Sequence, residues 1–259
     1  VSPDFTMAVE GIVDIDAYLM HWARERLGYD SVIEKLDTSK VNITQKSVLY
    51  QSKSDWWTSQ IEHTEYFDNP SGAVEKWPYN ATFDVTSKAS WSLLRAFKSP
   101  KLIPFSLKLE YPVWPTGDTP LSVSFDVSQL DVKFRAATEG QSEFSVSGDV
   151  SVQPYSSAHA HGKTRRCRLQ AVTFTTDVIM SGSIKVVGHK RGKKFTRSEI
   201  VVGIADVLMG RETHGFQIID NDDDPTASSR CVLYRIEGVC NGDVAVDSFY
   251  DVQEVNTLV

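Results

Sequence analysis

The chain has no apolar run approaching 18 residues, so no segment is suited to cross a membrane as a helix. It has no excess of positive charge: net charge is −7, which excludes a global basic field for nucleic acid or anionic lipid. Catalytic signatures are absent too, with no G-x-S-x-G, H-E-x-x-H or C-x-x-C pattern and no glycine-rich phosphate loop. No enzyme, metal site or cofactor is therefore expected. His159-Ala160-His161 places two imidazoles on one side of a strand, and the default reading is a pair of surface histidines. Cysteine is scarce, with only three residues, Cys167, Cys231 and Cys240, which allow one disulfide and one leftover thiol. Cys231 and Cys240 flank one strand-like run, so ~30 Å would separate them in an extended chain. Cys167 is then expected to pair with one of the two, and Cys240 is the chosen partner. There is no initiating Met and no signal-peptide pattern. Together with the sequons Asn42-Ile43-Thr44 and Asn80-Ala81-Thr82, this leads us to expect a processed, secreted protein.

What is present is alternation. From Leu102 to Gln129, Phe105, Leu107, Leu109, Tyr111 and Val113, then Leu121, Val123, Phe125 and Val127, occupy every second position. Ser106, Lys108, Glu110, Ser122, Ser124 and Asp126 fall between them. Period two means strand, and Pro112, Pro115, Gly117, Asp118 and Pro120 supply a turn. The segment reads as a hairpin with one apolar and one polar face and arms of about nine residues, near the ~9–11 that a tilted strand needs to cross a bilayer. Such a hairpin most often lays one face on an ordinary sheet core. Against that, the polar face is charged and the tip carries Trp114, suited to a membrane interface.

Elsewhere, residues 14–28 read as a helix with Asp14 as cap, Gly28 as stop and Ile15, Leu19, Trp22, Ala23 and Leu27 on one face. A shorter helix is expected from Asp30, burying Val32, Ile33 and Leu36. After Val41 the sequence becomes Ser/Thr-rich and strand-like. A polar link is expected at 137–143, turns at Ser181-Gly182 and between Val239 and Val244, and an exposed acidic loop at 220–225. The basic stretches at 163–166 and 189–194 read as solvated turns. Trp56, Trp57, Tyr66 and Trp77 form an aromatic group, read either as packing between helices and sheet or as a receptor contact. Adjacent Trp56 and Trp57 cannot both face inward on one strand.

Three segments then carry a resemblance: Tyr79–Thr86 with Ala89–Ser92, Tyr111-Pro112 through Gly117-Asp118 to Ser122–Phe125, and Phe144–Val146 to Val150–Pro154. Their order resembles the aerolysin-like β-pore-forming proteins of the clostridial epsilon-toxin and mosquitocidal-toxin family, over about residues 79–187. The resemblance implies a mainly β, elongated body of long antiparallel strands with a small α+β N-terminal region. Residues 1–79 would meet a receptor and 80–259 would form the pore module. It also implies a secreted protein that oligomerises on a target-cell membrane, with the hairpin at 102–129 inserting as part of a barrel. On this reading Phe105, Leu107, Leu109, Tyr111, Val113, Trp114, Leu121, Val123, Phe125 and Val127 face lipid. Lys108, Glu110, Ser122, Ser124 and Asp126 face the lumen. Before insertion the body must cover the apolar face, and hydroxyl-rich neighbours are expected to hold it loosely, so that a charge at Leu107 or Val123 leaves the soluble fold intact. The rival readings are a non-lytic glycan- or protein-binding module on the same fold and a storage or structural β-protein. Gln153-Pro154 stands where the family has a double proline, and the N-terminal region resembles no lectin.

Overall fold

The computed structural model describes residues 11–51, 56–115, 118–130, 135–192, 197–211, 214–220 and 230–255. One strand organises them. β9 (Ser156–Lys190) is 35 residues long, ~115 Å at ~3.3 Å per residue, and is paired along both edges. One edge takes β4 (Trp57–Asn69), then the two-residue β3 (Leu49–Tyr50), then β2 (Ser31–Gln45). The other takes most of the 26-residue β12 (Arg230–Val255), then β10 (Arg197–Gly203). Alternation explains the length: from Ser156 to Thr164 every even position is buried and every odd one half-buried.

A second layer comes from β5 (Glu75–Lys98), which pairs β12 through its later residues and β8 (Arg135–Val152) over most of its length. Where β5 leaves β12 it crosses in front of the β4–β9–β12 face. Phe67, Tyr79, Val146, Val150, Val152, Ala158 and Ala160 form the core between the layers. A larger core lies toward the other end. There α1 (Ile15–Leu27) buries Ile15, Leu19, Trp22 and Ala23 against Trp91, Phe97, Phe174, Tyr234 and Ile236 of the sheet. β1 (Gly11–Asp14), the five-residue α2 (Ile204–Leu208) and β11 (Phe216–Asp220) complete this end. β6 (Ser106–Glu110) and β7 (Ser122–Asp126) form a separate two-stranded sheet.

The mainly β, elongated architecture is the one expected, and α1 starts on its Asp14 cap and ends at Gly28 as read from sequence. Several local expectations are corrected. The helix expected from Asp30 is strand β2, whose bulges between Ile33 and Lys35 and between Asp37 and Lys40 shift the apolar alternation and imitate helical spacing. The polar link at 137–143 is continuous strand within β8, held by its pairing with β5. Ser181-Gly182 is no turn. Gly182 adopts φ +95° inside β9, against the bulge in β2. Val239–Val244 is likewise a bulged strand, its register shifting between Cys240 and Gly242. β5 runs through the expected boundary at residue 79, and β2, β3 and β4 belong to the same sheet as the rest. The basic stretch at 163–166 is strand; 189–192 closes β9, while Lys193, Lys194, most of the acidic loop (221–225) and Gly117 lie outside the described residues.

The close approach of β12 to β5 depends on Gly238. A Cβ there would stand 2.5 Å from both the Ser92 carbonyl oxygen and the Phe174 ring. Gly238→Ala is expected to lower unfolding stability by about 1–3 kcal/mol, read as a reduced urea midpoint at unchanged slope. An unchanged midpoint would contradict that apposition.

Candidate functional site

The β6–β7 hairpin carries the face predicted to be apolar. Leu107, Leu109, Tyr111 and Val127 are fully buried, and Phe105, Val113, Leu121, Val123 and Phe125 are half-buried. Trp114 at the tip is exposed. On the other face Ser106, Lys108, Ser124 and Asp126 are exposed and Glu110 and Ser122 half-exposed. There Lys108 pairs with Glu110 at 2.5 Å, the Ser106 and Ser124 hydroxyls meet at 2.9 Å, and Asp126 accepts from the Ser128 amide at 2.8 Å. The regular arms are five residues each. The Tyr111 amide donates to the Leu121 carbonyl and the Val127 amide to the Phe105 carbonyl, which lengthens the ladder to seven a side, ~23 Å. The arms are shorter than the nine residues expected, because Pro112, Pro115 and Pro120 lie just past the last bonded pair.

Among the described residues the hairpin shares no strand pairing with the main sheet, and side-chain hydrogen bonds and packing hold it. Gln45, at the end of β2, clamps Lys108 through both backbone groups: its amide nitrogen donates to the carbonyl at 2.6 Å and its oxygen accepts from the N–H at 2.9 Å. The Tyr50 hydroxyl donates to the Glu110 carbonyl at 2.5 Å and accepts from the Trp91 indole at 3.0 Å. Tyr111 of the hairpin reaches back to the Cys167 carbonyl at 2.9 Å, its ring filling space left open at Gly242. At the entry, the Asp16 carboxylate accepts from the Ser99 hydroxyl and the Lys101 and Leu102 amides. Gln45 and Tyr50 were missed by sequence reasoning, since some 60 residues separate them from the groups they bind.

The cover is not the loose, hydroxyl-rich one expected. The hairpin lies on the larger core, with Phe105 stacked on Phe97 at 6.1 Å between ring centroids. At about 1.5–3 kcal/mol per buried side chain, Leu107, Leu109, Tyr111 and Val127 contribute roughly 6–12 kcal/mol gross to holding it down. Leu107 is a core residue, so a charge there unfolds the soluble form. Only Val123, half-buried, suits such a substitution.

The expected Cys167–Cys240 disulfide is not formed; all three cysteines are buried and none is joined in a disulfide. On the ladder Cys167 pairs with Val244 and Cys240 with Val172, so four residues of β12, ~13 Å, separate the two positions, beyond the ~7 Å a disulfide spans. The aromatic group divides: Trp57 and Tyr66 are exposed at 47% and 72%, whereas Trp56 packs half-buried on the larger core and Trp77 lies 6.1 Å from Phe67 in the smaller one. Arg165 sits over the Trp57 ring at 5.4 Å.

The described geometry is that of an elongated mainly-β body with an amphipathic hairpin packed against it, and this fold is shared with solved crystal proteins. In detail it is similar to a non-toxic crystal protein from Bacillus thuringiensis, with TM-score 0.64 at 15% identity over 95% of this chain and 98% of that one. It is also similar to the Cry23Aa1 and Cry37Aa1 binary protein complex, with TM-score 0.62 at 16% identity over 94% and 90%. No family model matches the sequence, and no curated protein matches it.

Burial pushes the phenols of Tyr50 and Tyr111 well above the ordinary tyrosine range, and the Cys240 thiol beside them up to about 12. As pH rises, the unfolded chain therefore loses these protons before the folded one does. The stability they lend is complete below about pH 8.5 and declines as pH climbs from the ordinary thiol and phenol values toward the raised ones. The melting temperature is expected to fall progressively above about pH 9, with delayed tyrosinate absorbance in the native protein. A flat melting temperature up to pH 11, or early tyrosinate signal, would contradict this account.

Proposed function

We propose that the chain is a secreted membrane-permeabilising protein, a toxin or defence protein, whose hairpin leaves its seat, joins those of other copies and inserts as a β-barrel. The observation that carries this reading is the hairpin itself. It is a separate two-stranded sheet, apolar on one face and charged on the other, tied to the body among the described residues by side-chain bonds and packing. Its bonded length of ~23 Å is close to the ~25 Å apolar band of a membrane barrel. One hairpin has open edges that lipid cannot satisfy, so insertion requires a closed ring of subunits. In that ring Phe105, Leu107, Leu109, Tyr111, Val113, Leu121, Val123, Phe125 and Val127 face lipid, Lys108, Glu110, Ser122, Ser124 and Asp126 face the lumen, and Trp114 sits at an interface. The exposed Trp57 and Tyr66 are the members of the aromatic group left to meet a target surface.

The likeness in fold to two crystal proteins is compatible with this reading. The likeness to a non-toxic crystal protein favours one second reading, a non-lytic binding module on the same fold.

Cross-linking separates the two. The Ser142 hydroxyl of β8 meets the Asp118 carboxylate of the hairpin tip at 3.2 Å. The Asp118→Cys/Ser142→Cys pair, oxidised, is expected to abolish dye release from vesicles, and reduction to restore it. Release that is equal in both states would show that the hairpin stays seated.

Val123→Lys is expected to keep the soluble melting temperature close to the parent's while blocking permeabilisation. A lysine at mid-bilayer costs ~2–4 kcal/mol in each subunit of a barrel. A variant as active as the parent would place Val123 away from lipid.

A further inference from the structure

We propose that His159 and His161 form an open two-imidazole chelate for a divalent transition-metal ion, Cu²⁺, Ni²⁺ or Zn²⁺, on the outer face of β4–β9–β12. This site is independent of the hairpin and of what the hairpin does. The two histidines are two residues apart on β9, so both project to the outer face. Their rings lie 6.1 Å apart between centroids at 89°. Two imidazoles bound to one metal at ~2.1 Å place their centroids roughly 5–6.5 Å apart, so small ring rotations suffice.

The neighbours favour coordination. The Thr64 hydroxyl, in register with His161, lies 3.0 Å from its Nδ1. With Nδ1–H donating a hydrogen bond to that hydroxyl, the Nε2 lone pair is left for a metal, as when an outer acceptor orients a ligating histidine. Tyr66, paired with His159, sets its ring edge-on at 4.4 Å and restricts that imidazole's rotation. Lys163, two residues beyond His161 on β9, is engaged by Asp251 at 2.7 Å, and Arg165 is engaged by Asp247. The positive charge of both these neighbours is thus met by a carboxylate.

Among the described residues no group of three His, Cys, Asp or Glu is arranged to hold a metal. The ion would keep water in its remaining positions and exchange readily, unlike one in a closed structural site. Imidazole-only ligation selects Cu²⁺ over Ni²⁺ and Zn²⁺ and disfavours Ca²⁺ and Mg²⁺. The other histidines lack this arrangement: His189 bonds Glu34, His21 meets Glu25, His63 lies by Tyr79 and His214 by Tyr18.

Isothermal titration of CuCl₂ and ZnCl₂ into chelator-treated protein tests the site. One ion per chain is expected, Cu²⁺ the tighter, with CaCl₂ silent. His159→Gln or His161→Gln is expected to weaken binding by about tenfold or more, and the double variant to lose it. Cu²⁺ added to the unaltered protein should broaden the ring signals of these two histidines before the other four, a readout that needs no variant. A parent that binds neither ion, a double variant that binds like the parent, or broadening spread evenly over six histidines would each overturn the proposal.

Discussion

Backbone pairing along β9 is the constraint on which the molecule rests. A strand of 35 residues exposes more donors and acceptors than its own side chains could satisfy, and five other strands meet that demand along its two edges. Because those partners come from both ends of the sequence, β2, β3 and β4 meet the final strand β12 across β9. The two cores follow from this frame. One fills the space where β5 and β8 cross in front of the sheet, and the other forms where α1 and the hairpin close over it.

The hairpin takes part in that second core and is also separable from it. Its burial contributes roughly 6–12 kcal/mol gross, comparable with the net stability of a typical domain, so it does not leave by thermal fluctuation alone. Release becomes favourable only when another apolar medium receives the same face. In the proposed pore that medium is lipid, and pairing between neighbouring hairpins replaces the lost side-chain bonds. The tyrosines at its edge couple its seat to the interior: Tyr50 links Glu110 to Trp91, and Tyr111 links the hairpin to β9.

The regular parts of this structure were legible in the sequence. Period two at 105–127 marked the hairpin and its buried face, and Asp14 and Gly28 bounded α1 correctly. The misreadings share one cause. A glycine or a polar pair inside a long strand looks the same whether the chain turns or bulges there, as at Gly182 and Gly242, and only the pairing strand decides. The bulges of β2 turned an alternating pattern into a helical one around Val32 and Ile33. What local sequence could not carry at all was contact at a distance: that Gln45 and Tyr50 would hold the hairpin, or that Cys167 and Cys240 would lie out of register.

Gln45 has one more consequence. Its primary amide presents to β6 the donor and acceptor that a neighbouring strand's peptide would present. A lone strand edge invites any extended chain to add to it, and here a single side chain occupies the place. While that amide stays in position, no second copy can extend the small sheet by hydrogen-bonding at Lys108. In the proposed pore, the group that fastens the hairpin to its own body is therefore also what keeps it from its neighbours, and unfastening and edge-to-edge association are there one event rather than two.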